Sequence, residues 1–244
     1  MRFSEFVGRY IRVRTCPGCA TRISYEREKE AFCPDCREKW DKAKTESCES
    51  CFQAYCECVC MTKSLEKAGA LSLRKLVRYS AKRQAEPQNK ILYTLKHKPN
   101  KRLSGFLADE LLPLLWEELR AVGIEDASEA RIVFIPRGRR SYVKYGTDQS
   151  EEIGISLSEK SGIPMARIFH RKWGGREQKH LHVAERQKNL KGLLSVSAPE
   201  EIRGRVVILL DDVVTTGASM ASCASLLKKA GAACVLCFCV AKTD

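Results

Sequence analysis

No stretch of the 244-residue sequence offers the unbroken run of about 20 apolar residues that a membrane-spanning helix needs, so an integral membrane protein of the helical kind is excluded. Residues Met1 to Arg14 are interrupted by Arg2, Glu5, Arg9 and Arg12, so they lack the apolar core of a secretory signal, and the expected location is cytoplasmic. Internal repeats and low-complexity tracts are missing as well. With 44% hydrophobic residues the chain can pack a core, and disorder throughout is excluded. Histidine is scarce: His97, His170, His180 and His182 form no ligand-spaced cluster, which leaves metal binding to other residues. Acidic residues are in deficit, 30 against 43 Lys and Arg. The formal net charge of +13 favours polyanionic partners, whether phosphorylated metabolites, nucleic acid or an anionic membrane surface.

Cysteine, in contrast, is abundant. Nine of the 13 cysteines fall between Cys16 and Cys60, in a stretch poor in apolar runs. Cysteines in close pairs in a reducing compartment bind metal more often than they form disulfides. Cys16-Pro17-Gly18-Cys19 and Cys33-Pro34-Asp35-Cys36 are two C-x₂-C pairs with turn formers in or beside each knuckle, close to the spacing of zinc ribbons. Four thiolates suit tetrahedral Zn²⁺ and leave no ligand position open, so this site is read as structural. Cys48 and Cys51 open a second group completed by some of Cys56, Cys58 and Cys60, and spacing does not choose among these three. Cys223, Cys234, Cys237 and Cys239 fall on helical or β-rich runs and read as small buried hydrophobes.

The pattern changes between Met61 and Lys67. The expected division is a cysteine-rich zinc module over 1–64 and an α/β domain over 65–244. Pro87 with Ile91, Leu92 and Leu95 predicts a helix. So do Leu103, Phe106, Leu107, Leu111, Leu114 and Leu115, with Pro113 a candidate kink. Strands are predicted at Arg131 to Ile135, Ala166 to Phe169, Val206 to Leu210 and Cys234 to Val240, separated by helices near Gln149 to Lys160 and Ser219 to Ala230. Such alternation implies a mostly parallel sheet with helices on both faces, with ligands bound at the carboxyl ends of its strands.

The segment from Val206 to Ser219 carries the chemistry. An apolar strand runs into Asp211 and Asp212, and Thr215-Thr216-Gly217-Ala218-Ser219 then leads into a helix. Backbone N–H groups at a helix start, with nearby hydroxyls, cradle a phosphate, because the unpaired donors and the helix dipole favour an anion there. Two carboxylates facing the phosphate itself would repel it. They suit instead the hydroxyls of a sugar a few ångströms away, so the arrangement fits a ribose 5-phosphate.

Val207 to Ser219 resembles the phosphoribosyl pyrophosphate signature of type I phosphoribosyltransferases. The chain as a whole resembles the competence protein F family (ComF and GntX-like proteins), which joins an N-terminal zinc-binding region to a phosphoribosyltransferase domain. Gln178, Leu181, Arg186, Asn189 and Leu190 are similar to that family's pattern on or after its flexible loop, and Arg171, Lys172 and Arg176 make this loop basic. Ile135-Pro136-Arg137-Gly138-Arg139-Arg140 stands where the fold's pyrophosphate loop belongs. The family's Arg-Gly-Phe-Asn-Gln run is here Tyr145-Gly146-Thr147-Asp148-Gln149, which removes a cation and changes an asparagine to aspartate.

The resemblance implies a transferase that uses phosphoribosyl pyrophosphate with Mg²⁺ and an acceptor, typically a nitrogen of a base, which residue types do not identify. It implies that Asp211 and Asp212 hold the ribose hydroxyls, that Thr215, Thr216, Gly217, Ala218 and Ser219 hold the 5'-phosphate, and that Arg137, Gly138, Arg139, Arg140, Arg171 and Lys172 face the pyrophosphate. Two other readings stay open. One is an accessory protein of nucleic-acid binding or DNA uptake, with single-stranded DNA or the uptake machinery as partner and the transferase fold as sensor or scaffold. The other is a non-catalytic regulator that binds the metabolite.

Overall fold

The computed structural model describes residues 14–27, 29–80, 86–97, 100–138, 142–144, 146–171 and 194–243. In chain order the elements are β1 (Arg14–Thr15), β2 (Arg22–Ile23), α1 (Pro34–Lys44), α2 (Lys63–Lys67), β3 (Ser72–Tyr79), α3 (Pro87–His97) and α4 (Lys101–Ala121). They continue with β4 (Ala130–Phe134), α5 (Gln149–Ser161), β5 (Phe169–Arg171), β6 (Leu194–Val196), β7 (Val206–Val214), α6 (Ala218–Lys229) and β8 (Cys234–Thr243).

Among the described residues the central sheet is four-stranded and wholly parallel, in the order β3-β8-β7-β4. Its middle strands are apolar runs because both faces are covered. Val207 and Leu209 pack on one side with Leu65 of α2 and with Cys223 and Leu227 of α6. Ile208 and Leu210 pack on the other with Leu107 of α4 and with Ile153 and Leu157 of α5. Cys223, Cys237 and Cys239 are fully buried core residues, and Cys234 packs at the core edge. This is the predicted parallel architecture with helices on both faces. In α4 the side chains of Leu103, Leu107, Leu111 and Leu115 recur every four residues on the buried face, and the Asn100 side chain caps the helix by accepting from the Leu103 N–H at 3.1 Å. Pro113 lies on the exposed side, and the helix runs unbroken past it to Ala121.

Two elements depart from the sequence expectation. The run at Ala166 is buried against the sheet, but among the described residues its backbone pairs with the sheet through a single bridge from Met165 to Ile132, and the chain then turns so that Phe169–Arg171 pairs antiparallel with Leu194–Val196. The edge strand β3 was not predicted, because Arg74 and Lys75 stand in the middle of it. Both are buried, and both are satisfied by groups distant in sequence. Arg74 donates to Glu118 at 2.7 Å, to Glu117 at 2.8 Å and to the Glu57 carbonyl at 3.0 Å, while Lys75 donates to the carbonyls of Cys58 and Cys60 at 2.9 and 3.2 Å. The cysteine-rich segment thereby covers an edge that would otherwise be open to pairing.

Its first half packs against α4. Phe32 and Trp40 pack against Phe106 of α4 at centroid distances of 4.7 and 5.7 Å, and Arg37 and Lys44 both pair with Glu110. Cys16, Cys33, Cys36 and Trp40 therefore share one continuous core with α4.

Candidate functional site

Strand β7 does not stop at the carboxylates. It pairs with β8 as far as Val214, while pairing with β4 ends at Phe134 and Leu210. Asp211 and Asp212 therefore stand where β4 has diverged, in the crevice at the carboxyl end of the sheet. Serine 150, near the start of α5, reaches both: its hydroxyl donates to Asp211 Oδ1 at 3.2 Å and accepts from the Asp212 N–H at 3.0 Å. Burial, and then the charge of Asp212, hold the Asp211 carboxyl well above the ordinary carboxylate range.

The strand continues into Thr215-Thr216-Gly217, and α6 starts at Ala218. Gly217 occupies the N-cap with φ of +73°, a left-handed conformation that costs other residues strain. The Thr216 hydroxyl accepts from the Ala218 N–H at 3.4 Å. Asp211, the five loop residues from Thr215 to Ser219, and Met220 line a small polar cavity of about 60 Å³. A larger cleft of about 460 Å³ lies elsewhere, between Phe32, Arg37, Phe106 and Lys160, and shares no residue with the loop. The chemistry favours the smaller cavity, because it alone combines a helix start, hydroxyls and a carboxylate.

Gly217 also lies against Thr62, since an ideal Cβ there would lie 2.6 Å from Thr62 Oγ1. Gly217→Ala is expected to cost on the order of 1–3 kcal/mol from backbone strain and overlap. Thr62→Ala should return part of that loss in a double-mutant cycle read by denaturant unfolding, whereas strictly additive losses would show that the two residues do not meet.

Arg137 follows β4, with its backbone N–H donating to Asp148 Oδ2 at 2.7 Å and its guanidinium to the Thr147 carbonyl at 3.3 Å. Gly138 accepts from the Tyr142 N–H at 3.0 Å. Asp148 caps α5 by accepting from the Ser150 N–H at 3.1 Å, and burial raises its pKa, with a further contribution from Asp212. The aspartate that departs from the family's asparagine thus fixes the Arg137 loop. Asp148 and Ser150 were not among the sequence candidates, because their contribution depends on α5 packing beside β7. Arg139, Arg140, Lys172 and the stretch from Gln178 to Lys191 lie outside the described residues, and Arg171 is described only as backbone in β5.

Among the described residues, two groups of thiols have all their sulfurs within 4.8 Å of one another: Cys16, Cys19, Cys33 and Cys36, and Cys48, Cys51, Cys58 and Cys60. Either could hold a zinc ion. Cys56 is outside both, and its N–H is turned to the Lys44 carbonyl at 3.1 Å. The two groups repeat one local conformation. The residue after the second cysteine, Ala20 or Phe52, is left-handed, with φ of 63° and 61°. Its N–H returns to the carbonyl of Cys16 or Cys48 at 2.8 and 2.9 Å, respectively. The Cys33 and Cys60 amides point at the sulfurs of Cys16 and Cys58, each at 3.4 Å, as donors that would stabilise thiolate charge. Burial, followed by Cys58 and Cys51, pushes the Cys60 thiol up to about 12, so these sulfurs resist joint ionisation unless a cation shares their charge.

Residues 130–243 match the profile of the phosphoribosyl transferase domain. The chain is 28% identical over 168 residues to the DNA utilization protein YhgH of Escherichia coli (strain K12), a match covering 65% of this chain and 69% of that one. Among solved structures it is similar to the allosteric regulatory enzyme of purine biosynthesis, with 17% identity, a TM-score of 0.36 and coverage of 63% of this chain but 26% of that one. It is also similar to purine phosphoribosyltransferase from Pyrococcus horikoshii, with 19% identity, a TM-score of 0.33 and coverage of 56% and 74%, respectively.

Proposed function

We propose, from the premise that residues 130–243 are a phosphoribosyl transferase domain, that this chain binds phosphoribosyl pyrophosphate with Mg²⁺ and transfers ribose 5-phosphate to a nitrogenous acceptor. One observation carries the reading: a carboxylate pair at the ligand-binding edge of a parallel sheet, followed at once by a hydroxyl-rich loop that opens a helix.

The loop from Thr215 to Ser219 receives the 5'-phosphate, its amides and hydroxyls donating to the anion. Asp211 and Asp212 accept hydrogen bonds from the ribose hydroxyls. Arg137, with Arg139, Arg140 and the segment that begins at Arg171 and Lys172, faces the diphosphate. The acceptor nitrogen then forms a bond to C1 of the ribose while the bond from C1 to the diphosphate oxygen breaks, and the electron pair leaves with pyrophosphate through an oxocarbenium-like transition state. One of the two aspartates takes the acceptor's proton, a role that suits a carboxyl whose proton affinity is raised by burial and by its neighbouring carboxylate. The carboxylates of Asp148, Asp211 and Asp212 make the crevice attractive to a divalent cation. Mg²⁺ held by these side chains together with the substrate would supply charge neutralisation beyond what the arginines provide.

Residues 1–64, with Zn²⁺ on each of the two thiol groups, form the structural module, and 65–244 form the transferase domain. The test of turnover is release of pyrophosphate from phosphoribosyl pyrophosphate and Mg²⁺ in the presence of a panel of purine, pyrimidine and other nitrogenous bases. Release dependent on one of them supports transfer, whereas tight binding without release for any acceptor supports a regulator instead.

A second reading is favoured by the relative's description as a DNA utilization protein and by the charge of +13. In it the chain binds single-stranded DNA, and the transferase fold senses the metabolite. Salt-dependent binding of an oligonucleotide to the full chain would support this reading, and its absence would count against it.

A further inference from the structure

The residues that follow the second thiol group touch the loop assigned to the 5'-phosphate. Thr62 and Ser64 bond to each other through their hydroxyls at 2.9 Å, and the Ser64 hydroxyl donates to the Thr216 carbonyl at 3.4 Å. Thr62 abuts Gly217 closely enough to exclude a β-carbon. Helix α2, which begins at Lys63, packs on α6 through Leu65, in the core that holds Cys223 and Leu227. Only Met61 separates Thr62 from Cys60, so a sulfur held in the group fixes the Thr62 backbone to within about 7 Å.

The other end of this short segment is fastened to the sheet. Lys75 sends its ammonium to the carbonyls of Cys58 and Cys60 and lies 3.2 Å from the Cys58 sulfur. In the parallel register Lys75 is opposite Cys239, and Cys239 is opposite Asp211, so the lysine and the aspartate share one row across three strands. An ammonium beside a thiolate also relieves part of the net negative charge of a four-thiolate site. The Tyr55 hydroxyl adds a third tie, to the Lys242 carbonyl at the end of β8, at 3.3 Å.

We propose that Thr62 and Ser64 are positioning residues that brace the loop from Thr215 to Ser219, and that a metal ion on Cys48, Cys51, Cys58 and Cys60 clamps this brace. Metal loading and order in the loop are then linked. If the loop holds a phosphate, as in the function proposed above, the linkage extends to phosphate affinity and is reciprocal.

The test uses the full zinc-loaded chain, Ser64→Ala, Ser64→Thr and Cys60→Ser, with zinc content and melting temperature recorded for each. One readout needs no ligand: the deuterium exchange of the amides of 215–219. The other is the affinity for ribose 5-phosphate. Ser64→Ala is expected to speed exchange in the loop and to weaken ribose 5-phosphate about fivefold, the worth of one ordinary hydrogen bond, with zinc content unchanged. Ser64→Thr restores both. Cys60→Ser loses the second zinc and weakens affinity on the order of tenfold or more. Should Cys60→Ser fail to fold, zinc transfer to a chromophoric chelator replaces it, and bound ribose 5-phosphate should slow that transfer.

Unchanged loop exchange in Ser64→Ala, with zinc transfer indifferent to ribose 5-phosphate, would overturn the proposal. Faster exchange in a chain that binds no ribose 5-phosphate would leave the brace standing and remove the phosphate reading. Equal ribose 5-phosphate binding by all variants, with no change in loop exchange, would do the reverse.

Discussion

Replacing Asp211 and Asp212 together by asparagine is expected to lower the affinity for phosphoribosyl pyrophosphate by on the order of a hundredfold or more, while the fold stays at least as stable as before. Hydrogen bonds to a charged group contribute roughly 1.5–3 kcal/mol each, and two of them account for a loss of that size. Stability moves the other way because the pair is electrostatically unfavourable in the free protein. Burial and Asp212 raise the Asp211 pKa, so the folded state binds this proton more tightly than the unfolded state does. That difference favours folding while the unfolded carboxyl is protonated. It is lost as pH rises through the ordinary carboxylate range toward the raised value. Asparagine at 211 has no such dependence, and its Oδ1 can still accept from Ser150. Thermal melts at several pH values should therefore show the variant gaining on the unaltered chain as pH rises, with calorimetry showing the lost affinity. An unaltered affinity, or a variant that unfolds, would contradict the assignment of these residues to ligand binding.

The second large effect concerns the first thiol group. Cys36→Ser, or stripping zinc with a strong chelator, is expected to lower the melting temperature by about 10 °C or more and to expose Trp40. The magnitude follows from the packing. Cys16, Cys33 and Cys36 are buried in the same core as Phe32, Trp40 and Leu107. Structural zinc in small modules contributes on the order of 10 kcal/mol, and a net loss of only about 4 kcal/mol gives such a shift in a chain of this size. The signature is a red shift of tryptophan emission together with loss of zinc. A chain that lost this zinc and kept both its melting temperature and its emission would show that the metal is not structural there.

The strands and helices legible in the sequence are those whose own apolar residues record their burial. Val206 to Leu210 and Cys234 to Val240 are uninterrupted apolar runs because β7 and β8 are the inner strands, and the real strands exceed these runs only where the site begins. Strand β3 was hidden by Arg74 and Lys75, which are buried only because Glu117, Glu118 and the Cys58 and Cys60 carbonyls come to them from elsewhere in the chain. A local pattern holds no trace of such partners.

The same distinction applies to the site. The loop from Thr215 to Ser219 could be read from its own residue types, since a helix start needs only its immediate sequence. Ser150, Asp148, Thr62 and Ser64 could not, because each reaches the loop or the aspartates from another element. Asp148 stood out in the sequence only as a departure from an asparagine, and its service as cap and anchor for Arg137 appears with α5 in place. The choice among Cys56, Cys58 and Cys60 was likewise beyond spacing. The turn after Ala54 directs the Cys56 amide to Lys44, and the sulfurs of Cys58 and Cys60 are the ones that meet those of Cys48 and Cys51.

The measurement that tests the central claim most directly is calorimetric titration of phosphoribosyl pyrophosphate, with and without Mg²⁺, into the zinc-loaded full chain. Saturable binding that is strengthened by Mg²⁺ and competed by ribose 5-phosphate is the predicted result. No binding under either condition would contradict the claim and leave the nucleic-acid reading as the one to pursue.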